Sequence, residues 1–167
     1  VTACPVEALR ARDCKPLVLE HLCIDCAECI GVCPQRVMGI ACAREDLPDD
    51  CVLAIPSALA VQFREREELR RALQGAGVRD VIFTEGYETA LRKAVARFAL
   101  SEAQALPVIA TFCPAVVNLI EVRFPSLIRN LAPYLSPLEA VFMDARGRRC
   151  AFAVLCPAQA RALLRQG

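Results

Sequence analysis

The chain has 167 residues, of which 56% are hydrophobic and 23% charged, and its formal net charge is +1. This length allows one ordinary domain plus a small additional unit, and the composition excludes a disordered chain. The near-neutral charge gives no reason to expect nucleic acid as a partner.

Two short strands are predicted near the N-terminus, over residues 8–12 and 17–19. A dense run of cysteines follows, formed by Cys23, Cys26, Cys29 and Cys33-Pro34. The spacing C-x2-C-x2-C-x3-C-P is that of bacterial proteins whose thiolates hold [4Fe–4S] clusters. An earlier pair, Cys4-Pro5, is typical of the end of a first copy of the same run. Residues 32–39 repeat the pattern of residues 3–10.

This segment resembles a bacterial two-cluster ferredoxin. The resemblance implies that Cys4, Cys23, Cys26 and Cys29 ligate one complete [4Fe–4S] cluster. It also implies that Cys33 ligates a second ferredoxin-type cluster, whose other three cysteines would precede the first residue. Residues 1–43 would then be an α+β ferredoxin-like unit that is truncated at its N-terminus.

Zinc is the alternative occupant of the cysteine run. Zinc sites usually pair two C-x2-C knuckles across a longer spacer, whereas these cysteines crowd one loop. A disulfide framework fits less well, because cysteines two residues apart suit metal and nothing marks the chain as secreted.

Beyond a polar linker at residues 44–50, strands and helices alternate. This order predicts an α/β domain over residues 51–167, with a mostly parallel sheet covered on both faces. No membrane span is predicted, because prolines break the apolar stretch at 105–122. The predicted strands are 51–55, 81–83, 107–110 and 150–155, and the predicted helices are 56–63, 64–75, 84–100, 114–122, 136–147 and 157–166.

An element of strand, Cys-Pro-Ala and helix occurs twice in this domain, with its cysteine at Cys113 and at Cys156. Each cysteine should stand at the carboxyl end of a strand and at a helix N-cap. Open α/β sheets bind ligands at that edge, and a helix N-terminus stabilises a thiolate. We expect the two sulfurs to face one crevice; the alternative is that each is a small buried apolar residue.

The runs 52–57, 111–117, 136–137 and 155–158 resemble the large-subunit catalytic domain of [FeFe]-hydrogenases. In that family, motifs of the form T-S-C-C-P and P-C-x-A-K each give one cysteine to a [4Fe–4S] subcluster. The resemblance therefore implies that Cys113 and Cys156 are cluster ligands. A third motif would lie beyond the last residue, so this domain is expected to be truncated at its C-terminus.

The sequence departs from the family motifs at two positions, and in the family the residues at both positions serve the di-iron unit. Phe112 stands where the family has a proton-relaying cysteine, and a phenylalanine has no titratable proton. Gln159 stands where the family has a lysine that donates to a cyanide ligand, and a neutral amide is a weaker partner for an anion. Both cluster cysteines are nevertheless present.

We therefore predict an iron–sulfur electron-transfer protein of the non-catalytic or sensory branch of this family, with no catalytic residue. The alternatives are a catalytic [FeFe]-hydrogenase, linked to ferredoxin, and a redox-sensing regulatory module. We expect a cytoplasmic setting and, as partner, a redox protein or an appended domain, with neither nucleic acid nor membrane. The remaining cysteines are expected to be structural: Cys14 in a hairpin turn, and Cys42, Cys51 and Cys150 next to secondary-structure elements. His21 is expected at the surface.

Overall fold

The computed structural model describes residues 2–40, 47–101 and 105–166. Cys42 and residues 44–46 of the linker predicted at 44–50 lie outside these described residues. Of the helices in the described ranges, none combines the length and apolarity that crossing a bilayer requires.

The N-terminal part contains a two-stranded antiparallel sheet, in which β1 (Leu9–Arg12) pairs with β2 (Lys15–Val18). The two residues between the strands, Asp13 and Cys14, have φ values of 50° and 59°. Two consecutive residues at positive φ make the tight turn whose twist matches a hairpin. After the hairpin, the loop that carries the cysteines contains a single helical turn, α1 (Glu28–Gly31).

The rest of the chain forms an α/β domain around a three-stranded parallel sheet, as the alternation of elements predicted. The central strand β3 (Val52–Ile55) lies between β4 (Asp80–Phe83) and β5 (Cys150–Phe152). All four residues of β3 are buried, as expected for a strand covered on both faces. The helices are α2 (Ser57–Ala60), α3 (Arg66–Gly75), α4 (Glu85–Ala99), α5 (Pro114–Arg123), α6 (Pro137–Asp144) and α7 (Pro157–Leu164), with a 3-10 helix at Pro125–Asn130.

The sheet has a separate hydrophobic core on each face. Leu53 and Ile55 of β3 pack on one face against the helix residues Leu69 and Leu73 of α3. Ala54, on the opposite face, packs with side chains of α6 and α7. The helices α2 and α3 therefore cover one face, and α4, α6 and α7 cover the other.

The strand predicted at 107–110 is wrong as a member of this sheet. Ile109 forms only an isolated parallel bridge with Leu131. The backbone of Pro107 cannot pair with a strand of the sheet. Its carbonyl accepts a hydrogen bond from the Asn130 side chain at 2.8 Å, and proline has no N–H to donate. The last strand is also shorter than predicted and ends at Phe152.

The double-sided burial of β3 gives a stability prediction. Leu53→Ala should lower the free energy of unfolding by about 2–5 kcal/mol, because it removes a buried side chain and leaves a cavity. Leu53 is 6% exposed, whereas Leu100 is 85% exposed, so Leu100→Ala should change it by less than about 0.5 kcal/mol. Urea denaturation of both variants measures this, and equal midpoints would contradict the assignment of Leu53 to the core.

Candidate functional site

Four of the predicted ligand cysteines line one cavity of about 240 Å³: Cys4, Cys23, Cys26 and Cys29. Buried apolar side chains, including Val6, Ala8 and Ile24, form much of its wall. The hairpin, the cysteine loop and the first part of α7 enclose this space, which we call the cysteine cavity. Cys33 does not line it.

The Cys4-Pro5 and Cys33-Pro34 segments form turns of the same geometry. Three residues after each cysteine the backbone reaches positive φ, with 55° at Glu7 and 51° at Arg36. In each turn that same residue donates its N–H to the cysteine carbonyl, at 3.3 Å from Glu7 and 3.1 Å from Arg36. The repeat read in the sequence is therefore also a repeat of backbone geometry.

Both turns direct backbone N–H groups at the cysteine sulfur. The Sγ of Cys4 accepts a hydrogen bond from Ala8 N–H at 3.2 Å. Burial raises the pKa of Cys4, but the N–H groups of the residues at 6–9 outweigh it, so the net pKa is lowered. The pKa of Cys33 is lowered as well, mainly by the N–H of Val37 and also by those at 35, 36 and 38. The lowered pKa values favour the thiolate form of both cysteines.

The cysteine loop brings the other three sulfurs close to one another. Asp25 and Ala27 have φ values of 57° and 67°, and these left-handed residues turn the chain sharply between the cysteines. Burial raises the pKa of Cys29, and the thiolate charges of Cys26 and Cys4 raise it further. Burial also raises the pKa of Cys23, with smaller contributions from Asp25 and Cys29. Crowded thiolates of this kind are stabilised when a cationic group binds between them.

Across residues 2–40, 47–101 and 105–166, no three His, Cys, Asp or Glu side chains converge closely enough to coordinate a single ion. Zinc would need four ligands at about 2.3 Å from one point. The preference for an iron–sulfur group over zinc therefore rests on the spacing of the cysteines in the sequence.

The cysteine loop packs directly on α5 and α7. Ile24 lies against Leu119 and Val122 of α5, and its carbonyl accepts a hydrogen bond from Asn118 Nδ2 at 3.4 Å. From α7, Pro157 and Arg161 line the cysteine cavity. These are the two helices that begin after Cys113 and Cys156, so the N-terminal unit contacts the elements that carry the second pair of predicted ligands.

Cys113 and Cys156 occupy the N-cap positions of α5 and α7, as the sequence predicted. Cys113 is exposed and Cys156 is partly buried, so neither is a fully buried apolar residue. Cys113 does not follow a strand of the sheet, because the segment before it forms only the isolated bridge at Ile109. The expectation that both cysteines end neighbouring sheet strands is wrong for Cys113.

A second cavity of about 280 Å³ lies at the carboxyl ends of the strands, and we call it the crevice. The chain leaves β3 toward the face covered by α2 and α3, and leaves β5 toward the face covered by α7. Open α/β sheets bind ligands where the connections diverge in this way. The crevice is lined by Ser57 after β3, Thr84 after β4, and Leu155 and Gln159 after β5, together with Phe112. Neither Cys113 nor Cys156 lines it, although their neighbours Phe112 and Leu155 do.

A polar network that the sequence analysis missed forms one wall of the crevice. Glu88 accepts hydrogen bonds from the hydroxyls of Ser57 and Thr84, both at 2.6 Å. Burial raises the pKa of Glu88, but these hydrogen bonds and the nearby Arg92 outweigh it and lower the net pKa. The positions of Ser57 and Thr84, directly after two predicted strands, could have indicated these residues.

The two positions that depart from the family motifs both line the crevice. The Arg92 guanidinium carbon lies 5.9 Å from the centroid of the Phe112 ring. The Gln159 carbonyl oxygen accepts the Leu155 N–H at 2.7 Å, which ties down the start of α7. A lysine could not accept this hydrogen bond, because its ammonium only donates.

Cys14, Cys51, Cys150 and His21 line neither cavity. Cys51 is buried and Cys150 partly buried, as expected of structural residues. Cys14 is exposed in the hairpin turn where the sequence placed it. His21 is exposed, as predicted.

Comparison with known families gives one match. A model described as the iron only hydrogenase large subunit, C-terminal domain, matches residues 50–143, which is more than half of the chain. The matched segment runs from the start of β3 into α6 and includes Phe112 and Cys113, while the cysteine loop and Cys156 lie outside it. No curated protein matches the chain.

The opposite pKa shifts predict different thiol reactivities in the reduced, metal-free protein. Cys33 should be alkylated by iodoacetamide faster than Cys29 at pH 7, because its lowered pKa leaves more thiolate. Peptide mass spectrometry across a pH series should give a lower midpoint for Cys33 than for Cys29. In denaturing urea the two rates should converge, and equal rates in the folded protein would contradict the assigned surroundings.

Proposed function

The chain belongs to the family of the iron-only hydrogenase large subunit, C-terminal domain, and from this membership we propose that it is an iron–sulfur electron-transfer protein. The family domain implies iron–sulfur cofactors. The observation that carries the proposal is that Cys4, Cys23, Cys26 and Cys29 line one cavity. Their spacing matches that of [4Fe–4S] ligands, and thiolates suit iron–sulfur groups.

The residues of the cysteine cavity fit a [4Fe–4S] cluster held by these four thiolates. When bound, such a cluster supplies one-electron transfer. The chain contributes sulfur ligands, apolar walls from Val6, Ala8 and Ile24 that exclude water, and the Ala8 N–H at the Cys4 sulfur. Hydrogen bonds to the sulfurs and exclusion of solvent are the main means by which proteins adjust cluster potentials. We take residues 1–43 to be a ferredoxin-type unit on this basis.

Cys33 is proposed as a ligand of a second ferredoxin-type cluster. Its turn repeats the geometry of the Cys4 turn, and its pKa is lowered in the same way by backbone N–H groups. Its position outside the cysteine cavity supports a separate site.

Cys113 and Cys156 are proposed as two ligands of a hydrogenase-type [4Fe–4S] cluster. Their N-cap positions favour this role, because the helix N-terminus stabilises a thiolate and the negative charge of a ligated cluster. The proline that follows each cysteine has no N–H of its own and presets the first helical turn.

Two residues of the crevice support the proposal that the chain does not turn over hydrogen at a di-iron unit. Phe112 supplies no proton relay, and the Gln159 carbonyl oxygen is committed to the Leu155 N–H. We therefore propose electron transfer without hydrogen turnover, in a reducing cytoplasmic setting, toward a redox partner protein or an appended domain. The family match favours a catalytic [FeFe]-hydrogenase as the second candidate.

The cluster proposal predicts that Cys26→Ala abolishes the reduced-state EPR signal of the cluster after anaerobic reconstitution. The variant removes one of four thiolates that share the cavity. Cys14→Ala is the matched control, since Cys14 lies in the exposed hairpin turn and should leave iron, sulfide and signal unchanged. Full iron content with an unchanged signal in Cys26→Ala would refute the ligand assignment.

The absence of hydrogen turnover is tested by supplying a synthetic di-iron cofactor to the reconstituted protein. Hydrogen evolution with a chemical reductant, measured by gas chromatography, should stay at the level of the cofactor alone. The reason is the missing proton donor at Phe112 and the missing cation at Gln159. Sustained evolution above that level would favour the hydrogenase instead.

A further inference from the structure

Arg161 connects α7 with the cysteine loop. Its side chain lines the cysteine cavity together with the four thiols. Its Nη1 lies 3.6 Å from Asp25 Oδ1, and its Nη2 lies 3.4 Å from Glu20 Oε2. The single guanidinium of Arg161 thus faces two carboxylates. One of them, Asp25, lies in the sequence between the proposed ligands Cys23 and Cys26.

The two carboxylates differ strongly in exposure. The Asp25 side chain is 11% exposed, whereas that of Glu20 is 79% exposed. Asp25 Oδ2 is buried and has no hydrogen-bond partner among the described residues. A buried carboxylate whose charge is not fully compensated raises the free energy of the folded protein. The positive charge of Arg161 therefore has its largest effect at Asp25. Solvent screens the charge of Glu20 much more effectively.

Reduction of a bound cluster would add negative charge to this same space. A fixed cation nearby stabilises that charge, and an uncompensated buried carboxylate opposes it. An arginine keeps its charge throughout the accessible pH range, so it acts as a permanent counter-charge.

We propose that Arg161 sets the redox potential of the iron–sulfur group held by Cys4, Cys23, Cys26 and Cys29, by compensating the buried charge of Asp25. This inference rests on the proposed function of the cysteine cavity. Arg161 acts as a positioning residue, because it also holds the loop against the helix that begins after Cys156. The potential of the first site is thereby fixed by a residue that the α/β domain supplies.

The test is an EPR-monitored redox titration of the reconstituted protein and its variants. Arg161→Met should move the midpoint potential to a lower value, and Arg161→Lys, which keeps the charge, should stay near wild type. Arg97→Met is the matched control, because Arg97 is an exposed residue of α4 outside the cysteine cavity. An unchanged midpoint in Arg161→Met, or an equal fall in Arg161→Lys, would overturn the proposal.

A second set of variants tests the role of the Asp25 charge while Arg161 stays in place. Asp25→Asn should raise the midpoint potential, whereas Glu20→Gln should shift it less because solvent screens Glu20. Equal shifts from these two variants would overturn the assignment to Asp25. If the wild-type protein takes up no cluster, the proposed function itself fails; if every variant takes up the cluster with one common potential, only this inference fails.

Discussion

The packing of the cysteine loop on α5 and α7 is the contact on which the arrangement of the sites depends. Within residues 2–40, the buried core of the N-terminal unit is small and consists of Val6, Ala8 and Ile24. A two-stranded hairpin with so few buried residues is marginal by itself in water. Leu119 and Val122 of α5 complete this core, and Asn118 holds the Ile24 carbonyl. The loop therefore depends on the α/β domain for its stability, and its position is fixed relative to the helices that follow Cys113 and Cys156.

The first two turns of α7 separate the two cavities. Pro157 and Arg161 face the cysteine cavity, while Gln159 and the preceding Leu155 face the crevice. Pro157 and Arg161 are four positions apart and therefore share one face of the helix, whereas Gln159, two positions from each, points in another direction. One short helix thus lines both cavities. The hydrogen bond of Gln159 to the Leu155 N–H stabilises the start of this helix where a lysine could not.

The resemblance to a hydrogenase and the departures from it are located in the same crevice. Phe112 and Gln159 are far apart in sequence, yet both line the space next to the carboxyl ends of β3 and β4. The polar wall formed by Ser57, Thr84 and Glu88 is internally satisfied, which rigidifies this edge of the sheet. The crevice thus combines a fixed polar wall with Phe112 and Gln159, the two positions at which the sequence departs from the family motifs.

The sequence by itself determined the features that depend on local spacing. Three such features were readable: the cysteine run, the repeat around the two Cys-Pro pairs, and the alternation of strands and helices that makes the sheet parallel. Each requires only residues that are near neighbours in the chain. Only the tertiary structure decided which segments pair and which side chains meet. The segment around Ile109 has the composition of a strand, yet Asn130 takes the Pro107 carbonyl and leaves a single bridge. Likewise, the approach of Arg161 to Asp25 joins residues more than a hundred positions apart, and no local pattern encodes such a contact, since it follows from the packing of a loop on a distant helix.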